Sequence, residues 1–210
     1  MENMEFPTYY KQLYSERLSE IQQRLSDFKK VEKSEWFYEA CYCILTPQSK
    51  AIHADIVCSI LKKDDFFLNG FHTELILGNR EHYIRFHNQK SKNLQSLRDQ
   101  FSEIESIIDM YKSSPFDLRD ILCSRIKGFG LKESAHFMRN IGIFGPAILD
   151  RHILKHLAEC NVIEQGTIIK NSKHYTHIEQ LWLLYCSQVD IPMEEMDLLF
   201  WSIETGIILK

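Results

Sequence analysis

The chain has 210 residues, 44% of them hydrophobic, with only 8 Gly and 5 Pro. That suffices for a compact, core-forming unit and excludes a low-complexity chain. The formal charge of −4 excludes a uniformly basic surface, and no apolar run approaches the roughly 18 residues of a membrane-spanning helix. Met1 to Tyr10 is acidic and polar, unlike a secretory signal, so a cytoplasmic, intracellular protein is expected. Tyr9 to Lys30 reads as an amphipathic helix, because Leu13, Leu18, Ile21, Leu25 and Phe28 recur at helical spacing. Ser34 is the expected N-cap of a second helix, Glu35 to Leu45, with Trp36, Phe37, Ala40 and Ile44 inward. Thr46-Pro47-Gln48 ends it, since proline disfavours helix in the residue before it. A third helix is expected from Ser49 to Leu61, a loop from Lys62 to Phe71, and a long polar helix from Lys90 to Tyr111. Pro115 opens another at an early helical position. Pro192 opens the last, which carries Met196, Leu199, Phe200 and Ile203. No alternating strand pattern of useful length occurs, so the fold class is all-α.

Charge is unevenly spread. Arg119, Arg125, Lys127, Lys132, Arg139, Arg151 and Lys155 fall close together, and Arg80, Arg85, Lys90 and Lys92 form a second basic group. Asp190, Glu194, Glu195 and Asp197 are acidic. These runs fit one basic and one acidic face, or ordinary solvated helix faces. Cys41, Cys43, Cys58, Cys123, Cys160 and Cys186 include no Cys-x-x-Cys pair, so neither a zinc site nor an iron–sulfur cluster is expected. They read as buried small hydrophobes in a reducing compartment.

The most informative stretch runs from Ile126 to Ala135. A helix from Phe116 to Arg125 enters Gly128-Phe129-Gly130, and a second starts near Leu131, with Ala135, Met138 and Ile141 inward, to stop at Gly142. This is a helix-hairpin-helix, about 116–142. Glycine permits a positive φ and close approach of another chain segment. The hairpin N–H groups and the second helix's N-terminus attract phosphate, which holds DNA without reading bases. Lys127, Gly128 and Gly130 are the expected backbone-contacting residues. By itself the motif also fits a plain turn between helices. Lys132 lies in the first turn of that second helix, where a cation is disfavoured by the helix dipole but a neutral, nucleophilic amine is not. The loop of about 143–151 delivers Asp150 to the start of a new helix. Its carboxylate suits an N-cap, and also suits stabilising positive charge on a sugar that is losing its base.

Lys127-Gly-Phe-Gly-Leu-Lys-Glu-Ser-Ala-His-Phe-Met-Arg-Asn-Ile-Gly142, followed by Ile148-Leu-Asp-Arg-His-Ile153, resembles the archaeal-type 8-oxoguanine DNA glycosylase/AP lyase family. That family lies in the helix-hairpin-helix superfamily named for the hairpin and a Gly/Pro-rich loop ending in an aspartate, here Gly145-Pro146 to Asp150. Softer similarity covers Cys43-Ile-Leu-Thr-Pro-Gln48, the Ile84-Arg-Phe86 to Lys90 segment, and Asp197 to Lys210. The resemblance implies two helical lobes around a DNA-binding groove, formed by 1–210 as a single glycosylase unit. It implies Lys132 as the Schiff-base nucleophile and Asp150 as the catalytic aspartate. Phe86 and Trp201 would line the base pocket, Lys210 would recognise the oxidised base, and Gln48 would lie near bound DNA. No cofactor or metal is implied, and the partner is double-stranded DNA carrying a damaged guanine or an abasic site. A monomer is expected, with no membrane contact. Without a cysteine cluster the chain differs from superfamily members that carry iron–sulfur centres.

The implied activity is excision of 8-oxoguanine followed by strand cleavage through β-elimination. Three alternatives remain open on the residues: a glycosylase of the same superfamily for another damaged base, a non-catalytic helix-hairpin-helix DNA-binding module, and a helical scaffold with no DNA role, against which the hairpin and the basic groups count. Lys132 argues against a purely monofunctional glycosylase, and Lys132 with Asp150 argues against a mere binder.

Overall fold

The computed structural model describes residues 5–208. Among these the elements are α1 (Thr8–Lys29), α2 (Lys33–Leu45), α3 (Ala51–Lys63), α4 (Phe66–Asn69), α5 (Glu74–Leu77), a 3-10 turn (Arg80–His82), α6 (His87–Tyr111), α7 (Pro115–Arg125), α8 (Leu131–Asn140), α9 (Arg151–Glu159), α10 (Ser172–Val189) and α11 (Met193–Thr205). No strand occurs among the described residues, as the all-α expectation requires. The chain forms two compact units, residues 5–30 with 144–208 and Val31–Ile143.

The second unit is built around α2. From Ala40 to Leu45 every residue is buried, so the second half of this helix is enclosed on all sides, and α2 packs against α3, α6 and α8. α6 presents Leu94, Leu97, Phe101, Ile104 and Ile108 to the core at intervals of three and four. The Phe37 ring lies 5.2 Å from Phe101 and 6.0 Å from Phe66. Each such aromatic adds about 1.5–3 kcal/mol by leaving water. Phe66 belongs to the segment expected to be loop. It forms α4 instead, because Asp65 in a left-handed conformation turns the chain and aims the fully buried Phe66 inward. α2 begins at Lys33, two residues earlier than a Ser34 cap would set it, and Glu32 occupies the N-cap position.

The first unit packs α1, α9 and α10 against α11. Its centre is Phe200, whose ring lies 5.2 Å from Tyr10, 4.8 Å from His156 and 6.5 Å from the fully buried Trp182. Along α1, Ile21, Leu25 and Phe28 are buried, whereas Leu13 and Leu18 are only partly so. Pro192 occupies the N-cap position of α11, and Gly206 at φ 79° ends that helix.

The charge runs do not form simple faces. Lys90, Arg119 and Arg139 on the basic side are buried, as are Glu195 and Asp197 on the acidic side. Helical periodicity turns some members inward, where partners meet them: Arg119 pairs with Asp120 at 3.0 Å, and Glu195 accepts from the Tyr14 hydroxyl. The six thiols are free, with five buried and Cys123 partly buried. No described helix is long and apolar enough to cross a membrane.

Candidate active site

The expected hairpin is present in the second unit. α7 ends at Arg125, the Phe129 N–H closes the turn onto the Ile126 carbonyl at 3.1 Å, and α8 begins at Leu131. The two glycines have different reasons. Gly128 sits at φ 93°, and a Cβ there would lie 2.5 Å from the Asn93 amide nitrogen on α6. Gly130 has an ordinary φ of −108° and serves as N-cap. Its N–H donates to Glu133 Oε2 at 3.0 Å, which is the half of a capping box that a glycine can support. Lys127 and Gly128 are exposed at the tip. α8 ends with the Gly142 N–H on the Arg139 carbonyl and the Ile143 N–H on the Met138 carbonyl, a Schellman close with Gly142 at φ 79°.

Lys132 is the second residue of α8, and its side chain is about one-third exposed. Its Nζ lies 3.1 Å from Glu133 Oε1. The charge that the helix terminus disfavours is therefore met by a neighbouring carboxylate. Glu133 was not singled out in the sequence, although Glu three residues after a glycine cap is the available signal.

Lys90 is the second residue not singled out for a role. It is 6% exposed, and its ammonium donates to the carbonyls of Leu45 (2.7 Å) and Pro47 (2.6 Å) and to Ser49 Oγ (3.3 Å). Burial pushes it down to about 8; the Glu133 carboxylate opposes that shift and the Lys132 charge adds to it. The electrostatic neighbourhood of Lys132 therefore includes a second lysine on α6. Gln48 and Phe86 flank this cluster along the chain. Both are exposed and both hold left-handed backbone, at φ 56° and 59°. Phe86 is the N-cap of α6, and the Arg85 guanidinium lies 4.9 Å from its ring centroid.

In the first unit, Asp150 caps α9. Its Oδ1 accepts from the N–H groups of His152 (2.8 Å) and Ile153 (2.9 Å), and Oδ2 takes no part in the cap. The loop before it is apolar and buried from Pro146 to Leu149. Its backbone is held from α10: Tyr175 donates to the Ala147 carbonyl (2.6 Å) and accepts from the Leu149 N–H (3.2 Å), while Glu179 accepts from the Ala147 N–H (2.8 Å). These two supports were missed with α10 itself. Asn171 as cap and the spacing of Tyr175, Ile178, Trp182 and Tyr185 were the signals.

Trp201 is partly buried on α11, with its ring 5.2 Å from that of His152. Glu204, one turn further on, accepts from Lys155 (2.7 Å) and lies 3.0 Å from His152 Nδ1 and 3.1 Å from His156 Nε2. The Lys155 hydrogen bond foremost, with the charges of Lys155 and the two imidazoles, holds the Glu204 carboxyl below its usual range. Lys210 lies outside the described residues. Among the described residues, no group of three His, Cys, Asp or Glu side chains is arranged to hold a metal ion.

Comparison with known proteins gives a consistent result. Residues 21–191 match the family model described as 8-oxoguanine DNA glycosylase. An 8-oxoguanine DNA glycosylase/AP lyase from Fusobacterium nucleatum is 39% identical over 220 residues, covering 100% of both chains. A protein of the same name from Picrophilus torridus is 34% identical, covering 90% of each. The crystal structure of the Methanocaldococcus jannaschii 8-oxoguanine glycosylase/lyase in complex with 15mer DNA containing 8-oxoguanine superposes with a TM-score of 0.84 at 29% identity, covering 97% of this chain and 100% of that one. With the hairpin in place, the match spanning most of the sequence and full-length relatives above 30% identity, the chain belongs to the 8-oxoguanine DNA glycosylase family.

Proposed function

We propose that this protein is a DNA repair enzyme that excises 8-oxoguanine from double-stranded DNA and then cleaves the strand by β-elimination through a lysine imine. The observation that carries the reading is Lys132, a partly exposed primary amine in the first turn of the hairpin's second helix, in a chain similar throughout to proteins named 8-oxoguanine DNA glycosylase/AP lyase.

The hairpin holds the backbone: exposed Lys127, the Gly128 turn and the α8 N-terminus offer charge and dipole to a phosphate. The damaged base leaves the stack, because its glycosidic bond is out of reach inside the duplex. Phe86 and Trp201 stack on the flipped base. Lys210 and Gln48 complete recognition, Lys210 by distinguishing the oxidised base and Gln48 beside the DNA. 8-Oxoguanine bears a donor at N7 where guanine bears an acceptor, so an acceptor placed there favours the lesion. The neutral Lys132 amine attacks C1′, and the C1′–N9 electron pair leaves with the base, which takes up a proton. The Asp150 carboxylate stabilises the positive charge that develops on the sugar. The attached amine loses a proton and the C1′–O4′ bond opens, with O4′ taking up a proton, which leaves an iminium at C1′; this acidifies the C2′ proton, whose loss expels the 3′ phosphate and breaks the strand, and water then releases the lysine. Each step uses the chain's own side chains, and the reading assigns no role to a metal or cofactor. Residues 1–210 work as one glycosylase unit, as a monomer in the cytoplasm, away from membranes.

The test is strand cleavage of duplexes that differ only in 8-oxoguanine or guanine at one position. Cleavage of the lesion duplex and not of its control supports the reading. Cleavage only of a duplex carrying another damaged base, or binding without cleavage, overturns it.

A further inference from the structure

Gln48 and Phe86 are not glycines, yet both hold left-handed backbone while exposed to solvent, at φ 56° and 59°. Such positions are strained and persist only where the surroundings over-determine them. The surroundings of both converge on one oxygen. Ser49, next to Gln48, accepts at Oγ from the Arg85 N–H at 3.0 Å, and Arg85 is the residue before Phe86. The Lys90 ammonium reaches the same Oγ at 3.3 Å and gathers the Leu45 and Pro47 carbonyls of the turn that carries Gln48. Lys90's own N–H donates to the Phe86 carbonyl at 2.9 Å. A single buried lysine thus grips the Gln48 turn with its side chain and the Phe86 turn with its backbone, and Ser49 ties the two turns together.

We infer that Ser49 and Lys90 are positioning residues for base recognition, bracing Gln48 and Phe86 as one preformed unit. The inference rests on the proposed function, in which Phe86 stacks on the flipped base and Gln48 lies against the DNA. A cation buried to this degree is costly unless it is fully hydrogen-bonded. Here its three acceptors all lie on the Leu45–Ser49 segment, so its effect is to fix that segment's shape. Preformed recognition elements keep the ordering cost out of the binding step.

The experiment compares wild type, Ser49→Ala and Lys90→Met on two duplexes, one carrying 8-oxoguanine and one a preformed abasic site, with melting temperatures measured alongside. The abasic duplex has no base to stack, so a loss confined to recognition lowers excision more than abasic-site cleavage. The expected result is a fall of about tenfold in the ratio of the two rates for Ser49→Ala, at a melting temperature close to wild type, and a fall at least as large for Lys90→Met. If Lys90→Met does not fold, Ser49→Ala still decides. Parallel losses on both duplexes, or an unchanged ratio, overturn the inference while the function stands. A wild-type protein that cleaves neither duplex overturns both.

Discussion

Glu133 Oε1 lies 3.1 Å from Lys132 Nζ, while the other oxygen of the same carboxylate accepts from the Gly130 N–H at 3.0 Å. One side chain thus caps the hairpin's second helix and tethers the amine proposed to attack the sugar. The two jobs separate by substitution. Glu133→Ala leaves the Gly130 N–H without its acceptor and is expected to cost about 1 kcal/mol, a melting shift of about 2–4 °C. Glu133→Gln keeps an oxygen for that N–H and should melt near wild type, with abasic-site cleavage retained. Equal destabilisation by Ala and Gln, read by thermal denaturation, would show that the cap is not what Glu133 contributes.

Asp150 has the same dual character in the first unit. Asparagine is as good an N-cap as aspartate, so Asp150→Asn should keep the His152 and Ile153 bonds and the fold. It removes the negative charge that the proposed mechanism places beside the sugar, and excision should fall about 100- to 1,000-fold. Single-turnover excision together with circular dichroism checks this. A folded Asp150→Asn protein with near-normal excision would remove Asp150 from the mechanism.

Lys90 gives a pH dependence of definite sign. Burial lowers it from the ordinary 10.5 to about 8, so between those values the folded protein has released a proton that the unfolded chain still holds. Stability from this residue therefore rises with pH across that window. The groups that face it are Glu133, Lys132, the Leu45 and Pro47 carbonyls and the Ser49 hydroxyl. The difference in melting temperature, wild type minus Lys90→Met, should become more positive between about pH 7.5 and about pH 10. A flat or shrinking difference contradicts the assignment of the shifted proton to Lys90.

Much of the fold was legible because its signals are local. Periodic apolar positions placed α1 and α2, the break at Pro47 set off α3, a long polar stretch marked α6, and the glycines marked the hairpin between α7 and α8. What escaped was set by tertiary structure. α4 exists because the core takes Phe66, and Lys90 reads as one more surface charge until its ammonium is seen on three acceptors 41 to 45 residues away. The left-handed backbone of Gln48 and Phe86 has no sequence signature, since neither is a residue that favours it. α10 carried a readable period. Its His and Tyr pairs and Thr176 have middling helix propensity, and it was passed over, along with the hold of Tyr175 and Glu179 on the Asp150 loop.

The central claim is that Lys132 forms a covalent imine with the sugar. Borohydride trapping on a duplex carrying one 8-oxoguanine, with wild type and Lys132→Gln side by side, tests it most directly. The account predicts a stable protein–DNA adduct with wild type and none with Lys132→Gln, which still binds the duplex. An adduct that persists in Lys132→Gln, or wild type that traps neither 8-oxoguanine nor abasic DNA, would contradict it.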